Sequence, residues 1–245
     1  MQTLLLSVLF FITAALYAAV GLGGGSGYLA MMGLVGVSPD IIRPTALSLN
    51  ILVAGIGTWR HVRSGHFDRR IFWPIALFSI PFAFVGGMFT IPAVVYRPIV
   101  AAFLTYAAYR LWVSNRNKNE ENQQTRSLPI WIGSLAGAII GAVSGLIGIG
   151  GGVFLSAIIL IAGWTTTRKG MGITAAFVLV NSIAGLMGNL SVMQSVPHQL
   201  PYWLLAAGLG GWLGTSLSTK GLEPKQLRKL LAFVCLIAAV RMLLP

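Results

Sequence analysis

A glycine-rich string occurs twice in this chain, each time between two strongly apolar runs. Residues 21–27 read Gly-Leu-Gly-Gly-Gly-Ser-Gly, and residues 148–152 read Gly-Ile-Gly-Gly-Gly. Glycine clusters break helices, and inside a lipid bilayer a broken helix leaves backbone groups that need partners. The recurrence therefore predicts a duplicated membrane protein with a broken or re-entrant helix in each copy.

The composition places most of the chain in a lipid bilayer. Apolar residues make up 56% of the 245 residues and charged residues only 9%, whereas soluble domains carry roughly a quarter charged residues. We therefore expect an all-α polytopic membrane protein. The net charge of +12 comes from Lys and Arg in short polar loops, which membrane orientation explains, so no nucleic-acid partner is expected.

Ten apolar segments can be drawn along the sequence. The second and the seventh hold only about a dozen residues, fewer than the roughly 20 that a crossing helix needs. These two are expected to be half-helices or one arm of a re-entrant hairpin, so ten crossings and six crossings with two hairpins both remain compatible with the sequence. The approximate limits are 3–20, 26–37, 45–59, 71–90, 95–113, 129–147, 152–163, 172–190, 199–218 and 227–244.

The segments divide into two halves of five. We predict a first membrane repeat at residues 1–113, a polar linker at 114–128 and a second repeat at 129–245. Because five is an odd number, the second repeat enters the membrane from the opposite side, which gives inverted-topology repeats.

The basic residues predict the orientation of the chain. Three basic clusters fall on one side of the membrane in this scheme, and that side is expected to be the cytoplasm. The linker then lies in the cytoplasm and both termini lie outside. The clusters are Arg60, Arg63, Arg69 and Arg70; Arg116, Lys118 and Arg126; and Lys220, Lys225, Arg228 and Lys229.

The glycine strings are also the first candidate binding site. A glycine break followed by a short helix presents unpaired backbone N–H groups and the positive end of the helix dipole, which attract an anion. The alternative is that the glycines only permit tight helix crossing. Neither string completes a nucleotide-binding glycine motif. The expected backbone site comprises Gly23, Gly24, Gly25 and Ser26 in one half and Gly150, Gly151 and Gly152 in the other.

Polar side chains in the third and eighth segments form a second candidate set. A cation stands five residues before a hydroxyl residue in each half, and an asparagine follows each pair. Cations and amide donors suit an oxyanion. The alternatives are interface anchoring for the cations and hydrogen bonds to a neighbouring helix for the other groups. The set is Arg43, Ser48, Asn50, Lys169, Thr174 and Asn181.

Acidic residues are absent from the predicted membrane segments. Export of an anion gains about 2.3 kcal/mol per charge for each 100 mV of inside-negative potential, so it needs no coupling ion. Three scattered histidines and one cysteine predict no metal site and no cofactor, and no catalytic Ser–His pair is visible, so the chain is not expected to be an enzyme. The acidic residues are Asp40, Asp68, Glu120, Glu121 and Glu223.

Several motifs together resemble the TauE/SafE sulfite-exporter family of membrane transporters. They are the two glycine strings, Thr45-Ala-Leu-Ser48, Trp59-Arg-His-Val-Arg-Ser-Gly-His-Phe-Asp68, Ile173-Thr-Ala-Ala-Phe177 and Asn181-Ser-Ile-Ala-Gly185. The resemblance implies export of a small sulfur oxyanion or organosulfonate, such as sulfite or sulfoacetate, across the inner membrane of a bacterial cell.

The resulting hypothesis is an alternating-access exporter whose two glycine breaks enclose a small anion at the interface between the repeats, driven by the membrane potential. An anion channel with the same filter is the alternative, and an intramembrane enzyme is a weaker one. The sequence leaves open which anion is carried, the direction of transport, ion coupling and whether two chains form a homodimer.

Overall fold

The computed structural model describes residues 2–19, 21–113, 128–189, 197–219 and 225–243. Within these ranges the backbone forms ten α-helices and no strand, which confirms the predicted all-α polytopic fold. The predicted linker lies outside the described residues, except for Leu128. The helices are α1 (Gln2–Ala19), α2 (Gly25–Val35), α3 (Pro39–Arg63), α4 (Arg69–Met88), α5 (Ala93–Val113), α6 (Ile130–Ile147), α7 (Gly152–Ala162), α8 (Thr167–Gly188), α9 (Leu200–Thr219) and α10 (Lys225–Leu243).

The helices differ in whether they can cross a bilayer. Among the described residues, α3, α4, α6 and α8 are long and apolar enough to do so by length and composition. The helices α2 and α7 contain 11 residues each, which is about 16 Å of helix, or half of the roughly 30 Å hydrocarbon layer. The prediction of two short helices directly after the glycine strings is confirmed.

The two halves of the chain interlock. The first helix of each half packs against the fourth helix of the other, α1 on α9 and α6 on α4. The third helices pack together as α3 on α8, and the fifth helices as α5 on α10. The counterpart of each helix is the one that stands five later or five earlier in the order of helices. Replacing every helix by its counterpart turns the α1–α9 pair into the α6–α4 pair and leaves the α3–α8 and α5–α10 pairs unchanged, as expected for two copies related by a two-fold axis.

The central pair, α3 and α8, is antiparallel. A Cβ atom on Gly57 would lie 3.4 Å from the Cβ atom of Ala175, and one on Gly55 would lie 3.9 Å from Cδ1 of Leu179. In successive contacts the residue number in α3 therefore decreases while the residue number in α8 increases. These two helices occupy the same place in the two halves and run in opposite directions, which is the relation that inverted repeats require.

Helix α2 folds back along α1 and forms a hairpin with it. The Ser26 hydroxyl donates a hydrogen bond of 3.0 Å to the Tyr17 hydroxyl, and the rings of Tyr28 and Phe10 meet edge to face with centroids 5.7 Å apart. The first turn of α2 thus lies beside residues 10–17 instead of beyond the end of α1. These contacts favour a re-entrant hairpin over two consecutive crossings.

The second half reverses direction in the same way. Gly151, just before α7, lies against Ile140 and Ser144 of α6, since a Cβ atom there would be 2.7 Å from Ile140 Cγ2 and 3.4 Å from Ser144 Cβ. The chain therefore turns back beside α6 after Ile147. Each half contains one re-entrant pair and three further helices.

Glycines outside the two strings allow close contact between α4 and α6. A Cβ atom on Gly141 would collide with the carbonyl oxygen of Ser79, and one on Gly145 with that of Ala83. Such small residues let two helix backbones approach directly in a membrane. Gly141 and Gly145 thus have the packing role that the sequence left as the alternative for the two glycine strings.

Arg43 ties three helices together near the start of α3. Its guanidinium donates to the carbonyl oxygens of Phe89 (2.8 Å), Gly86 (3.0 Å) and Gly87 (2.6 Å) at the end of α4, and of Gly145 in α6 (2.7 Å). The side chain is 6% exposed. A cation at the carboxyl end of a helix satisfies its free carbonyls and its dipole.

Replacing Arg43 with alanine should destabilise the protein strongly, because buried carbonyl groups would lose a charged donor. We expect a loss of roughly 3–5 kcal/mol in the free energy of unfolding, measured as a lower melting temperature in detergent. The matched control is Lys169→Ala, since Lys169 is exposed and its loss should change stability by less than about 0.5 kcal/mol. Equal stability of the two variants would contradict this structural role.

Candidate functional site

The two glycine strings form breaks with the same backbone shape. Gly24 precedes α2 with φ of 101°, and Gly151 precedes α7 with φ of 78°. Only glycine adopts this left-handed conformation without strain. The two positions are 127 residues apart, and the short helix starts at the next residue in both halves. The backbone thus explains why the strings recur.

Each break leaves helix amides without acceptors. The first amide of α2 with a backbone acceptor is that of Tyr28, which donates to the Gly24 carbonyl at 3.0 Å, and its counterpart in α7 is that of Leu155, which donates to Gly151 at 3.1 Å. The three amides before each of these have no acceptor among the described contacts, and no side chain caps α2. Both helices therefore present free N–H donors and a positive dipole end.

These two helix ends lie at the middle of the molecule. Gly25 contacts Asn50, halfway along α3, and Gly152 contacts Thr174 and Val178, near the middle of α8. From there α2 runs to the start of α3, and α7 runs to the start of α8. Because α3 and α8 are antiparallel, the two short helices point away from each other with their amino ends together.

The amino ends meet in a contact that we call the glycine junction, comprising residues 23–26 and 149–152. A Cβ atom on Gly25 would collide with the Ile149 carbonyl oxygen, so the two strings touch directly. A cavity lies beside this contact with room for about one water molecule. Its lining includes Gly23, Gly24, Gly25, Ser26, Ile149 and Gly152, with Tyr17 and Val178.

Polar side chains from α3 and α8 surround the glycine junction. A Cβ atom on Gly150 would lie 3.0 Å from the Ser182 hydroxyl oxygen and 3.1 Å from Asn50 Nδ2, and Thr174 contacts Gly152 through its methyl group. Ser182, Asn50 and Thr174 are each completely buried. The two hydroxyls and the Asn50 Oδ1 atom have no hydrogen-bond partner among the described residues, and such groups are costly unless something binds them.

Asn181 lies on the same side of α8. It is completely buried, and its Nδ2 atom donates to the Phe177 carbonyl oxygen at 2.9 Å, one turn earlier. Its Oδ1 atom has no partner among the described residues. Asn181 therefore resembles Asn50 in bonding, although no described contact joins it to the glycine strings.

Three of the predicted side chains have other surroundings. The Arg43 guanidinium is bonded to the four carbonyl groups described above, which leaves only its Nε atom without a partner. Lys169 is exposed near the start of α8, and no described contact brings it to the glycine junction. The half-buried Ser48 donates to the Pro44 carbonyl oxygen within its own helix at 2.8 Å.

A buried hydrogen-bond chain connects the cavity to α10. Ser26 donates to the Tyr17 hydroxyl, which lies 3.1 Å from the Cys235 sulfur. All three side chains are at most 2% exposed. The single cysteine is thus a packed hydrogen-bonded thiol, and Tyr17 fixes one wall of the cavity.

The electrostatic surroundings of the glycine junction favour an anion. The first turns of α2 and α7 contain no acidic residue. Asp40 is exposed at the start of α3, and Asp68 caps α4. Among the described residues, no group of three His, Cys, Asp or Glu side chains could hold a metal ion.

Ser182, Tyr17 and Val178 contact the glycine junction but were not selected from the sequence. A signal for Ser182 was available, because Thr174, Val178 and Ser182 are spaced four residues apart and so share one side of α8. Tyr17 carried no such signal, since it reaches the cavity only because α2 folds back along α1.

Comparison with known proteins identifies the family. The model of the family described as "Sulfite exporter TauE/SafE" matches residues 6–242. A probable membrane transporter protein of Sinorhizobium fredii is 36% identical over 239 residues, covering 97% of each chain. A probable membrane transporter protein of Methanocaldococcus jannaschii is 24% identical over 259 residues, covering 98% of this chain and 95% of the relative. No solved structure matches significantly.

A methyl group at Gly25 should disrupt the glycine junction. In Gly25→Ala the new Cβ atom collides with the Ile149 carbonyl, so we expect a loss of about 1–3 kcal/mol in stability. We also expect sulfite to raise the melting temperature of the parent protein and not that of this variant. Gly55→Ala is the matched control, because its Cβ atom meets nothing closer than 3.9 Å. If sulfite stabilises both variants as it does the parent, the junction does not bind it.

Proposed function

Because the chain belongs to the TauE/SafE sulfite exporter family, we propose that it exports a small sulfur oxyanion or organosulfonate, such as sulfite or sulfoacetate, across a bacterial inner membrane. The observation that supports this most directly is the meeting of two helix amino ends, with free amides, at mid-depth. An anion held there would be bound by backbone donors and helix dipoles.

Hydroxyl groups complete the proposed anion site. Ser182 and Thr174 lie against the second glycine string and have no other partner among the described residues. Each can donate an O–H group to an anion oxygen. Hydrogen bonds to charged groups contribute more than neutral ones, so these two side chains are the proposed side-chain ligands.

The size of the cavity suggests how transport proceeds. A space for about one water molecule is too small for sulfite, which has four heavy atoms, or for the larger sulfoacetate. We propose that this is a closed form and that α2 and α7 separate by movement of one half against the other. Alternating access of this kind is typical of inverted repeats, with the substrate site at the repeat interface.

The proposed driving force is the membrane potential. Neither short helix carries an acidic residue, and the two acidic residues that the structure describes lie at helix starts. An outward-moving anion gains about 2.3 kcal/mol per charge for each 100 mV. We further propose that the basic group Arg60, Arg63, Arg69 and Arg70 faces the cytoplasm, as the positive-inside rule predicts.

Sulfite efflux from proteoliposomes should respond to voltage without a sodium or proton gradient. We expect a faster efflux when a potassium gradient with valinomycin makes the interior negative, and no change when a sodium gradient, or a pH gradient at constant internal pH, is imposed. Protein-free liposomes and Gly25→Ala are the controls. Voltage-independent efflux that requires sodium would contradict the proposed energetics, and unitary conductance in a planar bilayer would indicate a channel.

The Ser182 hydroxyl is expected to affect anion affinity. Ser182→Ala should raise the half-saturating sulfite concentration roughly tenfold, which corresponds to about 1.4 kcal/mol, because one charged hydrogen bond is lost. The control is Ser156→Ala, since the Ser156 hydroxyl donates to the Val153 carbonyl within α7. Equal half-saturation in the two variants would exclude Ser182 from the site.

A further inference from the structure

Asn50 contributes an unsatisfied acceptor directly beside the glycine junction. Its Nδ2 atom donates to the Ile149 carbonyl oxygen at 3.3 Å and would lie 2.8 Å from a Cβ atom on Gly25. The side chain is completely buried, and Oδ1 has no partner among the described residues. The residue thus contacts both strings through its side-chain nitrogen, and its buried oxygen is unpaired.

The orientation of this amide is set by its neighbour. Turning the Asn50 side chain over would place Oδ1 against the Ile149 carbonyl, so that two oxygens would repel each other. Asn181 follows the same rule, because its Nδ2 atom donates to the Phe177 carbonyl. Both asparagines therefore use one of their two N–H donors on the backbone and keep an unpaired acceptor, whereas the sequence predicted them only as donors to an oxyanion.

An acceptor is unsuited to the oxygens of a fully deprotonated anion. The free amides and the hydroxyls of Ser182 and Thr174 supply donors for an anionic group, whereas the Asn50 oxygen requires a donor in return. A buried acceptor left unpaired loses the hydrogen bonds that it made with water, so it is destabilising. A substrate that satisfies the whole site carries both an anionic group and a hydrogen-bond donor.

We propose that the transported anion bears an O–H or N–H group beside its negative charge, and that Asn50 Oδ1 accepts a hydrogen bond from it. Hydrogensulfite and short hydroxy- or amino-sulfonates belong to this class. Nitrate, simple alkylsulfonates and the sulfoacetate dianion do not, so the inference narrows the range of substrates in the proposed function. The inference rests on the proposed function, because it concerns the substrate of the same site. A bound sodium ion is the competing explanation, and the positive ends of α2 and α7 oppose it.

A matched pair of sulfonates tests the inference. Isethionate and ethanesulfonate have the same charge and nearly the same shape, but only isethionate carries a hydroxyl group. Each is titrated as an inhibitor of sulfite efflux from proteoliposomes, with sodium replaced by potassium in a parallel series. We expect isethionate to inhibit at a concentration roughly tenfold lower, in either cation.

Asn50→Leu should remove this preference by taking away the acceptor, so that the two inhibitors become equal. The matched control is Asn189→Leu, which removes another buried amide at the end of α8 and should keep the preference. If Asn50→Leu does not fold, the comparison of isethionate with ethanesulfonate in the parent protein still tests the inference.

The outcomes separate the two proposals. Equal inhibition by both sulfonates, a preference that Asn50→Leu retains, or a preference that depends on sodium overturns the inference and leaves sulfite export standing. Absence of sulfite efflux from the parent protein, with no inhibition to measure, overturns the proposed function and this inference with it.

Discussion

Backbone amides without acceptors at the centre of a membrane protein are the constraint on which the rest of this structure depends. Hydrocarbon offers no hydrogen bonds, so such groups exist only where protein, water or a solute can reach them. The chain concentrates them at two points, before Tyr28 in α2 and before Leu155 in α7. The other helices are arranged so that the starts of α2 and α7 lie next to each other.

The arrangement follows from the antiparallel packing of α3 and α8. Each short helix runs from the glycine junction to the start of the long helix that follows it, and α3 and α8 start at opposite ends of the molecule. Their middles carry Asn50 and Val178, which contact the glycine junction from both sides. One packing relation thus positions the backbone donors and also the side chains that face them.

The sequence predicts the backbone of the site better than its side chains. Consecutive glycines indicate a break wherever they occur, so the positions of Gly24 and Gly151 could be derived locally. The role of a polar side chain depends on helix rotation and on distant partners. The residues near Arg43 in the sequence do not indicate that its guanidinium donates hydrogen bonds to carbonyl groups at the end of α4. Ser182 was missed although its spacing from Thr174 places it on the same side of α8.

Arg43 makes the two halves unequal. The sequence pairs Arg43 with Lys169 in the second half, but Lys169 is exposed, whereas the Arg43 guanidinium is buried against the end of α4. The contact that Arg43 makes with the end of α4 is therefore not reproduced by Lys169. In a carrier of the proposed kind, unequal contacts in the two halves give the inward-open and outward-open forms different free energies and populations. Near-symmetry of the backbone can thus coexist with a built-in preference for one side of the membrane, a form of rectification.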